Sequence, residues 1–362
     1  MRFKILKEDF LKMIESVYHA IPSKAALPIL ENIKLETRGN EVNLFSTNLN
    51  FALKVKGKAD VEEEGAICIK GKELKEITSR LKNEKILIEK RDERELLIHT
   101  SLGEYSFFIQ PPEEFPSIEE IELKEGIEVS SDLILEGVEK VSFCVAKNDS
   151  RQFLNNILLD LKKNKLSFVS SDSHKLGVYE IEIENKGIEG EYLLDPKSFD
   201  FLKDYKNETV KILFSETKIQ FNFSNGYEIV NLVDDKFPDY RAVVPSETPY
   251  KLKIVREDLI ESLRRLSVFT SPPNHPVQFS LSPESLLIRA VSGEVGEGYE
   301  RLKGFYEGDK IEIGFNSHYL LDILRHIDED VVEIGITGSE SASLIKGEGV
   351  NHYFYLLMPI RI

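Results

Sequence analysis

The stretch DKFPDYRAVVP, residues 235–245, joins an aromatic–proline step to an acid, a tyrosine, an arginine and a short apolar run. The residue before a proline is pushed out of the helical region, so the stretch reads as a strand running into an extended turn. The same kind of step occurs as EEFPSIEE around Pro116 and as YLLMPIRI around Pro359. The prolines are 122 and 121 residues apart, and near-equal spacing marks an internal repeat.

The segments before the three prolines support this. Each opens with a short strand and an amphipathic helix: RFKILKEDFLKMIESVY (2–18), IEVSSDLILEGVEKVSF (127–143) and YKLKIVREDLIESLRRL (250–266). An acid followed by an apolar residue starts each helix, at Asp9-Phe10, Asp132-Leu133 and Asp258-Leu259, and apolar residues such as Phe10, Met13, Ile14 and Val17 then recur at helical spacing. Alternating strands follow, with hairpin turns expected at Gly39-Asn40, Asn164 and Pro283. A second helix is predicted in each back half, over 71–82, 195–206 and 315–327, with two more strand pairs behind it. The expectation is an α+β chain of three equivalent domains, 1–122, 123–246 and 247–362, each of ordinary domain size.

The chain has 362 residues and a net charge of −16, which speaks against gripping nucleic acid with the whole surface. The six predicted helices carry a combined charge of about +1, so the acidity lies in strands and loops. The second helix of the first copy is the most basic, with Lys72, Lys75, Arg80 and Lys82. No apolar run is long enough to span a bilayer, and MRFKILKEDF is too charged for a secretory leader. Cys68 and Cys144 lie 76 residues apart and read as small buried side chains. A cytoplasmic location is expected.

Signatures of catalysis are weak. SSDSHK (170–175) sets Ser, Asp and His side by side, but a triad is assembled in space, and no GxSxG elbow surrounds Ser171 or Ser173. SGEVGEGYE (292–300) lacks the Lys-Ser/Thr of a phosphate loop and the spacing of a dinucleotide turn. No HExxH pair is present, and His318 and His326 are eight apart. Neither an enzyme nor a metal or cofactor protein is indicated. A triplicated unit suggests an arc or ring, six units in a two-fold dimer, with the less acidic helices as a DNA-facing lining inside an acidic exterior; the alternative is an acidic peptide-binding scaffold that does not encircle DNA.

Six stretches carry a resemblance: LPILENIKLE (27–36), RQFLNNILLDL (151–161), SSDSHKLGVY (170–179), DKFPDYRAVVP (235–245), EIGFNSHYLLDIL (312–324) and YLLMPIRI (355–362). In these the chain resembles the bacterial DNA polymerase III beta subunits, the sliding clamps, over essentially its full length. The resemblance implies a clamp fold, with two helices inside and antiparallel sheets outside each domain, and a homodimeric six-domain ring around duplex DNA. Such a ring is held by topology and serves as a processivity factor in DNA replication. Its partners are the polymerase III alpha subunit, the clamp loader and other proteins with clamp-binding peptides.

Carried over by position, the DNA contacts implied are Lys24, Lys72, Arg80, Asn148, Lys197 and Asn316. The peptide pocket implied comprises Leu154, Ser171, Ser173, His174, Lys175 and Leu176 from the second segment. It continues with Pro238 and Val243, then Tyr319, Leu356, Met358, Pro359, Ile360 and Arg361. An apolar well with a polar rim suits peptide capture, and methionine accommodates several partners. Tyr105 and Phe107, in the edge strand GEYSFFIQ (103–110), and Phe269 match the ring interface. Three positions depart from the family pattern: Ser173 for glycine, Lys175 for arginine, and Ala242 where a second arginine often follows.

Overall fold

The computed structural model describes residues 1–122, 125–185, 187–283 and 285–361. Among the described residues there are five α-helices: α1 (Lys7–Tyr18), α2 (Gly71–Arg80), α3 (Ser131–Ser142), α4 (Arg256–Leu266) and α5 (Ser317–Arg325). In α1 the buried side chains are Phe10, Met13, Ile14 and Val17 with Ser16, one apolar stripe, and Glu8 and Asp9 face the positive end of the helix dipole. In α4, Leu259, Ile260, Leu263 and Leu266 are buried, with Arg264 and Arg265 in the last turn.

The helix expected over 195–206 is instead a 3-10 segment, Pro196–Asp204, started by the Asp195 carboxylate accepting from the Lys197 amide. Ser198, Phe199, Phe201 and Leu202 are its buried residues. They pair at three-residue spacing, 198 with 201 and 199 with 202, which three residues per turn place on one face.

All named strand pairs are antiparallel, and they build three sheets. Residues 1–135, 183–188 and 194–233 form one compact unit; residues 136–182, 189–193 and 234–362 form another. The first holds a thirteen-stranded sheet in which Phe51–Lys58 pairs with Gly226–Asn231, in register from Val55↔Gly226 to Phe51↔Val230. The second holds a nine-stranded sheet in which Lys175–Glu182 pairs with Tyr353–Leu357, from Lys175↔Leu357 to Tyr179↔Tyr353, and a separate four-stranded sheet. The units therefore follow the sheets rather than the sequence repeat. The middle segment divides between them because its last strands pair with strand 51–58 while its first hairpins pair with strand 353–357.

The first hairpin turns at Gly39-Asn40, with Gly39 at φ 60°, and the second at Lys163-Asn164, with Lys163 at φ 49°. The third turn joins Ser282 to Ser285 and includes Glu284, which lies outside the described residues. Cys68 and Cys144 are buried free thiols; burial pushes the Cys68 thiol up to about 12 and Cys144 well above its usual value. Among the described residues no helix is long and apolar enough to cross a membrane.

Candidate partner-binding groove

The site in the second unit starts from one turn. Strands Lys165–Ser171 and Lys175–Glu182 are joined by Asp172, Ser173 and His174. The Asp172 carboxylate accepts from the amides of His174 (2.9 Å) and Lys175 (2.8 Å), and the Ser171 hydroxyl donates to the Lys175 carbonyl (2.9 Å). Short polar side chains satisfying their own turn is what Asp and Ser do at such positions. Ser173 sits at φ 76°, in the left-handed region. The His174 carbonyl accepts from the Met358 amide at 2.8 Å, so the turn holds the chain's last strand beside it.

These elements frame a cavity of about 260 Å³. Its floor includes the buried Leu154, Leu176 and Leu356, with Lys175 also buried, and Ser171, Ser173, His174, Pro238, Val243 and Met358 complete the lining from the expected set. Val243 and Met358 are exposed apolar side chains at the mouth, available to a ligand at little structural cost. The other lining residues are Arg151, Phe153, Phe237, Asp239, Tyr240 and Ala342. Phe153 meets Phe237 edge-to-face at 5.5 Å. Arg151 is fixed to Asp149 (2.9 Å), and its guanidinium draws the Asp149 carboxyl down to about 2.

Four expected pocket residues do not line the cavity. Tyr319 lies behind it: its ring stacks on His174 at 5.4 Å and takes the Lys175 ammonium over its face at 4.6 Å. Pro359 follows Met358 out of the cavity, and Ile360 pairs its amide with the Gly314 carbonyl at 2.9 Å. Arg361 is 93% exposed, with Glu340 at 3.9 Å. The sequence places these residues next to the groove; the strand bridge at Gly314 carries the chain end past it.

The wall formed by the DYR stretch is anchored from below. Asp160, buried in strand Ile157–Lys162, accepts from the Tyr240 hydroxyl at 3.0 Å and from the Arg241 guanidinium. Residues 240–243 form a 3-10 turn capped by Asp239. Arg151, Phe153, Asp160, Phe237, Asp239 and Tyr240 lie inside stretches the sequence already singled out; Ala342 does not.

Among the expected DNA contacts, Lys24, Lys72, Asn148 and Lys197 are exposed, Asn148 at φ 59°. Arg80 is exposed and pairs with Glu76 at 2.6 Å. Asn316 is different. It is 5% exposed, and its side-chain oxygen caps α5 by accepting from the amides of His318 (3.0 Å) and Tyr319 (3.2 Å). Its residue type serves the helix start as a cap. Among the described residues no group of three His, Cys, Asp or Glu could hold a metal.

Two strands with an unpaired stretch bear on the expected ring interface. Strand Glu104–Gln110 pairs along one side with Glu95–His99, but on the other only Ile109 and Gln110 find partners, at Ile69 and Cys68. Tyr105 and Phe107 are half-buried on the inward face, whereas Phe108 is 89% exposed on the outward one. In the second unit, strand Gly296–Leu302 is the outer strand of the four-stranded sheet and carries Tyr299, 66% exposed. Phe269 packs against Gly298, where a Cβ would meet its ring at 2.8 Å.

The profiles of the N-terminal, central and C-terminal domains of the DNA polymerase III beta subunit match residues 1–119, 128–239 and 241–361. The chain belongs to the DNA polymerase III beta subunit family. The beta sliding clamp of Pseudomonas putida is 28% identical over 379 residues, covering all of both chains. That of Chlamydia pneumoniae is 26% identical, covering 100% of this chain and 99% of its own. Among solved structures, the beta subunit of Pseudomonas aeruginosa superposes with a TM-score of 0.95 at 26% identity, covering 100% of each chain. The beta subunit of Thermotoga maritima does so with 0.93 at 26% identity, covering 100% of this chain and 99% of that one.

As a sliding clamp the chain is a non-catalytic processivity factor of DNA polymerase III. The clamp fold gives its departures from the family pattern a physical meaning. The left-handed backbone at Ser173 is where glycine has no steric penalty. Lys175 directs its amine to Asp172 and the Tyr319 ring, and Ala242 is an exposed residue of the 3-10 turn.

Proposed function

We propose that two copies of this chain close into a six-domain ring, each copy contributing domains 1–122, 123–246 and 247–362, with duplex DNA through the centre. The observation that carries this is a pair of strands that leave backbone unpaired beside exposed aromatic side chains. Strand Glu104–Gln110, unpaired on one side as far as Phe108, and strand Gly296–Leu302, the outer strand of its sheet with Tyr299, each leave backbone groups open, and pairing one with the other across two copies removes both liabilities. Sheets then face outward, and helices face the DNA. Lys24, Lys72, Arg80, Asn148 and Lys197 supply weak, sequence-independent phosphate contacts. The low total charge of the helices keeps the ring mobile on the duplex.

The groove around Ser173 and Met358 takes short peptides of the polymerase alpha subunit, the clamp loader and other clamp-binding proteins. Its leucine floor accepts apolar side chains, and the turn at 171–175 offers a polar rim. Tethering through the ring raises the polymerase's effective concentration at its template without chemistry from the clamp. The setting is the cytoplasm.

The test is retention on DNA. The protein is loaded by its clamp loader on nicked circular DNA, washed at high salt, and the circle is then cut. Retention on the circle and loss from the linear form support the ring. Equal loss from both identifies an acidic scaffold bound only by charge.

A further inference from the structure

The first unit contains a second copy of the turn that frames the groove. Thr47, Asn48, Leu49 and Asn50 stand where Ser171, Asp172, Ser173 and His174 stand. The Thr47 hydroxyl donates to the Phe51 carbonyl (2.9 Å), and the Asn48 side chain accepts from the amides of Asn50 and Phe51 (both 2.9 Å). The neighbouring strand docks in the same way, Asn231 N–H to the Asn50 carbonyl at 2.8 Å. Pro116 lies beside this turn as Pro238 lies beside the other. Yet the cavity here is about 110 Å³, against about 260 Å³ in the second unit.

What differs is the segment after the proline. In the second unit Tyr240 and Arg241 both reach Asp160, and residues 240–243 wind into a 3-10 turn. At the matching positions of the first unit stand Ile118, Glu119 and, for Asp160, Glu36. Ile118 has no hydroxyl to donate, and two carboxylates repel rather than tie. Glu119 lies 3.8 Å from Lys218 and Glu36 3.8 Å from Lys34. Residues 117–122 follow Pro116 without regular structure.

We infer that Asp160 is the positioning residue of the peptide groove: its carboxylate, holding Tyr240 and Arg241, sets the 3-10 wall at the distance that leaves room for a peptide. The twin turn shows that the turn alone does not open a groove. Asp160 is buried beneath the wall and acts through Tyr240, which lines the cavity, and through the turn that carries Val243. This assignment rests on the peptide reading proposed above.

The test uses the full-length dimer and a fluorescein-labelled peptide from the clamp-contacting segment of the partner polymerase alpha subunit, read by anisotropy. Asp160→Asn is expected to weaken binding by about tenfold, mainly through faster release, with the dimer's sedimentation unchanged. Arg241→Gln is expected to do the same. The double variant should be little worse than either single one, because both remove one tie. Should Asp160→Asn fail to fold, Tyr240→Phe and Arg241→Gln test the two arms separately. Binding within twofold of the parent in these variants, or effects that simply multiply in the double variant, overturns the assignment. A parent protein that does not bind the peptide overturns the peptide reading itself, a result distinct from parent-like binding by the variants.

Discussion

Leu49 and Ser173 hold the same backbone position in two copies of one turn, with φ of 74° and 76°. Their amides donate to the hydroxyls of Thr47 and Ser171, at 3.0 and 3.1 Å. An L-residue in this region carries a strain of about 1–3 kcal/mol, which the surrounding hydrogen bonds must offset. Ser173→Gly is therefore expected to leave stability unchanged or raise it by up to about 1 kcal/mol, since glycine's own entropy cost offsets part of the relief. Ser173→Val, branched at Cβ, should lose about 1–2 kcal/mol. Urea unfolding of both variants checks the pair; a valine variant as stable as the parent would refute the strain.

Asn316 makes a second, opposite kind of prediction. As the cap of α5, its replacement by alanine should cost about 1 kcal/mol, and replacement by aspartate should cost little. Retention on circular DNA should be the same for all three proteins. A selective loss of DNA retention without loss of stability would show that Asn316 contacts DNA as well as capping the helix.

Phe108 tests the ring. A charge at this outward position on a partly unpaired strand should prevent edge pairing while leaving the subunit folded. Phe108→Glu is expected to sediment as a monomer with parent-like circular dichroism. The same change at Phe107, on the inward face, should instead lower stability.

Lys72 and Arg80 lie on α2, and both are exposed. If they touch phosphate, changing each to alanine should reduce the steepness of log binding against log salt by about 0.9 per lost contact. The Arg80 effect should be the smaller of the two, because Glu76 already shares its charge. Measurement on short duplexes, where topology holds nothing, isolates this contribution.

Glu228 sets a pH dependence. It is buried in strand Gly226–Asn231, and its Oε2 finds no hydrogen-bond partner among the described residues. Burial, with Asp200 and Asp195 nearby, pushes its carboxyl well above the ordinary 4.5. The unfolded chain gives up this proton near its ordinary value, while the folded chain keeps it. The group's contribution is thus fully present below about 4.5 and is lost as pH rises toward the folded value. Glu228→Gln should be more stable than the parent at neutral pH and should flatten the fall in stability above pH 4.5. Parallel pH profiles for the two proteins would contradict the assignment.

The sequence by itself determined whatever depends on neighbours along the chain. The spacing of Pro116, Pro238 and Pro359, the stripe from Phe10 to Val17, and the hairpin at Gly39-Asn40 are local signals, and local periodicity is enough to read them. The stretches around Ser173 and Phe237 announced themselves in the same way.

The tertiary structure decided what depends on residues far apart. Asp160 meets Arg241 across 81 positions, and no spacing rule finds such a pair. Asn316 looks like any polar side chain until the start of α5 claims it. Phe107 and Phe108 are adjacent aromatics, and only the pairing of their strand with Glu95–His99 decides which one faces out. The twin turns make the point most directly: nearly the same local hydrogen bonds form in both units, and the difference between a groove and a small cavity comes from the side chains that reach, or fail to reach, across to the next strand.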